Sequence, residues 1–400
     1  MVQVKPSSES QHVDKLWNKN FIILLGANIF IYMAFYLVIT LLSKYAISLG
    51  ASLSMAGMIV GLFAIIVLFI GPFGGLLTDR TNKKYVMIIG TLINGIATLG
   101  YSFAPNIGIL IFFRVLHGVG FSVTTASGLA WATDFIPKNK MGEGIGYLGI
   151  SQIIATAFGP EIGIEAASGI GISKTFIIAA VLPIIASIFM SFISNENQAC
   201  KKNSADKKNK INFRAIIATE ILPLSLIGGL FSLGNGLVAS FLVLLGEQRN
   251  IKGVGIYFIV NALLLVFTRP LSGKLYDRRG LSIILYPALL FSTMESLLLG
   301  HANALWMIIL AAAVKAFGQG TAQPALQAEC LRKLGSQRRG VASSTYFLGA
   351  SIGQGFGPLI GGSIASVFGY AGMFNFSAVM MLCGILGYTI YNKKRAVLHV

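Results

Sequence analysis

Charge is scarce in this chain of 400 residues. Only 11% of it is Asp, Glu, Lys or Arg, against roughly 25% in an ordinary soluble domain. Acids are scarcer than bases: 14 against 31, for a net charge of +17. There are three cysteines, Cys200, Cys330 and Cys383, none in a CxxC spacing, so neither a disulfide framework nor a zinc site is supported. No Walker lysine, metal-ligand cluster or Ser/His/Asp arrangement on a nucleophile elbow is present. Of four histidines, His12 and His399 sit near the termini, leaving His117 and His301. The GxG stretches lie inside apolar runs and read as packing glycines, not phosphate loops. These absences argue against an enzyme, and no cofactor or metal is expected. The excess of bases does not indicate nucleic acid. The basic residues fall in short clusters between apolar runs, without the basic, aromatic-interleaved surface that nucleic acid requires.

Apolar sequence dominates. The chain is 55% hydrophobic with a mean hydropathy of +0.75, which lipid as solvent explains better than one soluble core. Apolar runs of about 20 residues fall at 21–43, 54–77, 85–104, 107–133, 142–165, 172–194, 215–246, 253–274, 282–300, 304–330, 341–367 and 371–391. The first is too long for a signal-peptide core and lacks a small-residue cleavage pattern, so its retention is expected. Twelve spans with both termini in the cytoplasm place 24 lysines and arginines inside. Only Lys44, Lys174, Arg249 and Lys252 fall outside, and Arg114, Arg269 and Lys315 lie within spans. That bias is the positive-inside signature. The expected class is an all-α membrane protein of twelve helices in two pseudo-symmetric bundles of six. Residues 1–194 form the first half, 195–213 a lysine-rich cytoplasmic linker that could also rest on lipid headgroups, and 214–400 the second half. A cell-membrane location, a bilayer partner and a monomer are expected.

The two-half reading rests on a repeat. Gly75-Leu-Leu-Thr-Asp79-Arg80 returns 198 residues later as Gly273-Lys-Leu-Tyr-Asp277-Arg278, each copy closing an apolar run. Phe158-Gly159-Pro160-Glu161-Ile162-Gly163 matches Phe356-Gly357-Pro358-Leu359-Ile360-Gly361 at the same offset. Parallel repeats of this kind occur in secondary transporters.

With these motifs the chain resembles the major facilitator superfamily over nearly its whole length, and within it the twelve-span bacterial drug:proton antiporter branch. The loop motif after span two matches Gly-x-x-x-Asp-Arg-x-Gly-Arg-Lys at Gly75, Asp79, Arg80, Lys83 and Lys84. Asn82 replaces a glycine there, whereas the second copy keeps Gly280. Asn tolerates a left-handed turn better than most residues. The resemblance implies that Gly75, Asp79, Arg80, Gly273, Asp277 and Arg278 gate the cytoplasmic side, Asp79 on a helix N-terminus of the other half and the arginines on acids such as Asp134 or Glu143. The bland alternative is a charged turn that fixes topology. A second motif, Leu110-x-x-x-Arg114-x-x-His117-Gly118-x-Gly120, implies proton coupling or a buried charge network at Arg114, with His117 where Gln is common. A third, Gly146-x8-Ala155-x3-Gly159-Pro160-x2-Gly163, resembles the antiporter helix motif. Ala155, Gly159 and Gly163 share a face that permits close helix approach, and Pro160 favours a bend.

The coupling acid is less defined, because span one carries no carboxylate. Glu161 and Glu165 are one turn apart on span five and could titrate jointly, although Glu165 could equally be loop. Glu295 lies deep in span nine, where an acid is neutral, paired or functional. Lys315, in span ten near the repeat-equivalent of Arg114, could hold a carboxylate or snorkel. Arg269 reads as part of the second gating cluster. Asn28, Tyr32 and Tyr36 in span one, with Asn235 and Asn261, are candidates for a substrate cavity or for helix packing. The implied function is export of small organic molecules in exchange for protons by alternating access. The alternatives are a facilitator, a transporter of a sugar or metallophore, or, less favoured, a membrane sensor or integral membrane enzyme.

Overall fold

The computed structural model of the protein describes residues 15–193, 218–335 and 338–398. The expected linker, 195–213, falls outside them. Every regular element described is helical, and polar residues set several starts by accepting from the first free N–H groups. Asn18 accepts from Phe21 at 2.9 Å ahead of α1 (Lys19–Ser48), and Ser52 from Met55 at 3.2 Å ahead of α2 (Leu53–Arg80). Asn82 accepts from Lys84 at 3.0 Å ahead of α3 (Lys83–Ser102), and Asn106 from Ile109 at 3.0 Å ahead of α4 (Ile107–Ala132). Asn82 is therefore a helix cap in extended conformation (φ −74°, ψ 114°), not the left-handed glycine substitute its position suggested. Gly280, its counterpart in the repeat, does turn left-handed, at φ 75°.

The chain continues through α5 (Met141–Ile170), α6 (Ile172–Ser191), α7 (Leu222–Gln248), α8 (Ile256–Arg279), α9 (Ser282–Gly300), α10 (Leu305–Phe317) and α11 (Gln319–Leu334) to α12 (Arg339–Leu398). Two breaks have visible causes. Between α10 and α11 the chain departs from helix at Gly318 (φ −76°, ψ −94°), where a Cβ would come within 2.6 Å of the Ser292 hydroxyl of α9. Within α12, Gly369 takes φ 68° and ψ 179°, and Met373 beyond it packs against Gly361 before it, so the chain doubles back. Two cations close helix C-termini whose carbonyls lack partners. Lys84 donates to Ser191 O and Ile193 O at 2.8 and 2.7 Å, and Arg249 to the carbonyls of Leu299, Gly300 and Ala302.

Among the described residues ten helices are long and apolar enough to cross a membrane. α10 and α11 together count as one of them, as does the whole of Val341–Lys393, while α5 is not included. Large apolar side chains such as Phe73, Phe267 and Phe368 stand exposed on the outside, an arrangement suited to lipid and costly in water. The fully buried members of the large clusters stay apart. One set lies between Leu24 and Ile193 and two lie between Ala218 and Tyr388, with Leu53 of α2 packed against one of the latter.

The first six helices and the later ones meet chiefly at one end of the molecule. Call the end carrying Arg80 and Arg278 the basic face. On the far face Lys44 pairs with Glu247, and the Ser54 and Ser363 hydroxyls lie 2.8 Å apart. There Gly57 and Gly61 of α2 back directly onto the carbonyls of Pro358 and Gly355, and Gly362 onto that of Leu53. On the basic face Gly75 and Gly273 have open space where a Cβ would stand. The molecule is sealed on the far face.

Candidate functional site

Between the two sets of helices lies a cavity of about 370 Å³. Its wall combines rings (Phe35, Tyr36, Tyr257, Phe258 and Phe347) with carboxamides (Gln152, Asn235, Asn261, Gln319, Gln323 and Gln354) and two cations, Arg269 and Lys315. No acid lines it. A second cavity, about 780 Å³, lies between α1, α2, α4 and α5 and is lined without any charged residue. Gln152 and Phe347 belong to both walls, so the two cavities adjoin, and we call the second the vestibule.

All five polar candidates from the sequence meet this space. Asn28 and Tyr32 line the vestibule, and Tyr36, Asn235 and Asn261 the inner cavity. Asn28 also donates to the Ser151 hydroxyl at 2.7 Å, and Asn261 to the Ala312 carbonyl at 3.2 Å, so each is held by its neighbours. Arg269 was expected in the second gating cluster; α8 instead carries it into the cavity wall. Tyr257 and the four glutamines were not among the sequence candidates. The available signal was a carboxamide within a membrane-length run, which is costly in lipid and tends to face a bundle interior.

Glu295 and Lys315 form one constellation. The lysine Nζ lies 3.7 Å from a Glu295 carboxylate oxygen, and both side chains are only 8% exposed. Tyr257 donates its hydroxyl to the same oxygen at 2.5 Å, and Lys315 sits 5.2 Å from the Tyr257 ring centre. A buried pair with an added hydrogen bond satisfies the carboxylate that either cation or solvent would otherwise have to meet. At the 198-residue offset Lys315 corresponds to His117, not Arg114.

Arg114 has no acid beside it. It is fully buried, donates to the backbone carbonyls of Ile59 and Val60 at 3.1 and 2.9 Å, and lies over the Phe63 ring at 4.6 Å. This ties α4 to α2 through the backbone, in place of the ion pair its burial suggested. His117 nearby bonds the Tyr101 hydroxyl through Nδ1 at 3.0 Å.

On α5, Gly159 and Gly163 allow close packing on α1. Added Cβ atoms would lie 2.8 Å from Tyr36 Cβ and 2.6 Å from Leu37 O. Pro160 stands within the helix between them, and Gly146 meets nothing within 4 Å. Glu161 points at the seam. It rests against Gly255, the residue before α8, and its Oε2 is buried with no hydrogen-bond partner. Glu165 is helical, not loop, and exposed.

At the basic face, among the described residues, no hydrogen bond or ion pair joins either hairpin to the opposite set of helices. Arg80, Asp277 and Arg278 are exposed, and the side chain of Asp79 is outside the described residues. Asp134 is paired with Lys83 at 2.7 Å, not with an arginine of the motif. Beside the second hairpin, Glu329 takes Arg332 through both carboxylate oxygens and accepts from Tyr276 at 2.7 Å.

The sequence pattern of the Major Facilitator Superfamily matches residues 24–328 and, in a second stretch, 283–397. The chain belongs to the Major Facilitator Superfamily. Its members are multi-pass membrane transporters and not enzymes. An uncharacterized MFS-type transporter of Methanocaldococcus jannaschii is 25% identical over 390 residues, spanning 94% of this chain and 97% of the relative. The quinolone resistance protein NorA of Staphylococcus aureus is 27% identical over 363 residues, 86% and 90% respectively. Among solved structures, the nucleoside transporter NupG superposes with a TM-score of 0.76 at 11% identity, over 93% of this chain and 99% of that one.

Proposed function

We propose that this superfamily member is a proton-driven exporter of small organic molecules in the cell membrane, standing open to the cytoplasm. The observation that carries the reading is a ring- and amide-lined cavity set between two sets of helices that touch chiefly at the far face. Such a cavity changes sides when the seal moves from one face to the other. The likeness to a quinolone resistance protein over most of both chains supports efflux.

In this reading the membrane is crossed twelve times. Val341–Lys393 is broken at Gly369 and crosses twice, and α5, thirty residues long despite three acids, crosses once. The excess of lysine and arginine puts the basic face and both termini in the cytoplasm. Residues 1–194 and 214–400 act as rocking halves of a monomer, joined by 195–213.

The gating hairpins of Asp79 and Asp277 are released while the cytoplasmic side is open, and they engage when it closes. Two carboxylates are placed to couple protons. A proton on Glu295 breaks its pair with Lys315 and changes the charge balance of the cavity wall. A proton on Glu161 lets the far face close without burying a bare carboxylate oxygen. Arg114 supports this machinery by fixing α2 to α4.

The deciding experiment is transport in proteoliposomes under an imposed pH gradient, with substrates found by drug susceptibility in a strain lacking its own pumps. Gradient-driven accumulation of at least one such compound is expected. Equal movement with and without the gradient would leave a facilitator.

A further inference from the structure

We propose that the central cavity takes an organic anion: an apolar, ring-bearing body carrying a carboxylate or similar acid group that docks on Arg269. This rests on the exporter reading and narrows its cargo.

The first argument is the sign of the wall. Among the described residues the inner cavity and its vestibule together present two cations, Arg269 and Lys315, and no carboxylate. Arg269 is exposed within this wall, so water answers it while the cavity is empty. A cationic guest would displace that water and set a second positive charge beside the guanidinium with nothing to answer its own. A neutral guest would leave that guanidinium to water alone.

The second argument is that the two cations differ. Lys315 is already answered by Glu295, which lies behind the wall and does not line the cavity. Arg269 donates to no partner among the described residues, although it lies ten residues inside the end of α8. An arginine at membrane depth is retained where it faces water, a partner or a ligand. Its five N–H groups form a fixed fork that matches a carboxylate bidentately, and a charge-assisted pair of that kind is among the strongest polar contacts available.

The third argument is the remainder of the wall. Phe35, Tyr36, Phe258 and Phe347 offer ring faces for the body of the guest, and the volume lies within the roughly 300–1,000 Å³ typical of small-molecule sites. The uncharged vestibule contributes no competing carboxylate.

The test compares shape-matched probes that differ in charge: 2-naphthoate, 2-naphthamide and 2-naphthylmethylammonium. Binding is measured on the purified full chain in nanodiscs by calorimetry. The carboxylate is expected to bind about ten-fold or more tightly than the amide, with the ammonium weakest. Arg269→Gln should bring the carboxylate-to-amide ratio towards one, and Arg269→Lys should restore part of it, which separates loss of the contact from loss of folding. An ammonium bound as tightly as the carboxylate, a ratio untouched by Arg269→Gln, or no binding by any probe overturns the inference. Gradient-driven transport of the amide or ammonium without preference for the carboxylate removes the anion and leaves the exporter. Carboxylate binding without gradient-driven transport of any probe does the reverse.

Discussion

The far-face seal can be broken with one methyl group. Gly61 of α2 backs onto the Gly355 carbonyl of α12, and the space a Cβ needs is already filled by that backbone. Gly61→Ala therefore clashes with main chain, which has no rotamer to move away, and overpacking of this kind costs about 1–3 kcal/mol. The contact exists only while the far face is closed, so the penalty falls on this conformation alone. The ratio of inward-open to outward-open molecules should fall by about 5- to 140-fold. The gain of roughly 0.5–1 kcal/mol from replacing a helix-interior glycine applies to both conformations and cancels. Gly26→Ala, with nothing within 4 Å of the new atom, controls for that term. Spin labels at Thr81 and Lys274, both exposed near the basic face, would report the change by pulsed electron paramagnetic resonance. The Gly61→Ala protein should show a shorter distance population than the parent or the Gly26→Ala protein. An unchanged distribution would refute the argument that this seam holds the conformation.

Asp79→Asn should cripple gradient-driven transport while leaving membrane insertion and yield intact, because the hairpin is needed only when the basic face closes; normal turnover would sink the gating role. Glu295→Gln should lose thermal stability as well as coupling, since breaking a buried pair costs about 3–5 kcal/mol, and adding Lys315→Met should restore stability without restoring coupling. Glu161→Gln should fold like the parent, because its Oε2 has no bond to lose, and should make transport less sensitive to external pH. Full pH-driven transport by both single variants would place the coupling acid elsewhere.

The helices were largely legible because apolar length and lysine-arginine bias depend on the solvent, not on tertiary detail. Runs at 107–133 and 172–194 correspond to α4 and α6 within a few residues. The breaks were less so. Gly318 interrupts a run that reads as continuous, and what requires a glycine there is the Ser292 hydroxyl on α9, 26 residues earlier in the chain. Arg114 was recognisable as a costly buried charge, but its acceptors are backbone carbonyls, which no pattern of side chains reveals. Arg269 was assigned by its nearness to the hairpin in sequence, whereas α8 carries it about 15 Å along the axis from Arg279 at 1.5 Å per residue. The glutamines were visible but unweighted: Gln319 and Gln323 share a helix with further polar residues, Gln152 and Gln354 lie far from them in the chain, and only the fold shows that all four meet at one cavity.

The glycines carry the argument for motion further than the charges do. A glycine inside a helix gives up roughly 0.5–1 kcal/mol relative to alanine, so each needs a reason. Gly57, Gly61 and Gly362 have one in this conformation: a backbone carbonyl of the opposite set of helices occupies the space of the missing side chain. Gly26, Gly149, Gly169 and Gly387 meet nothing within 4 Å, and neither do Gly75, Gly146 and Gly273. Gly75 and Gly273 belong to the repeated hairpin and lie near the face that is now open. A single rigid structure explains the first group and leaves the second as unrecovered cost. In the proposed second conformation, closed at the basic face, Gly75 and Gly273 would take the role that Gly57, Gly61 and Gly362 hold at the other end of the cavity.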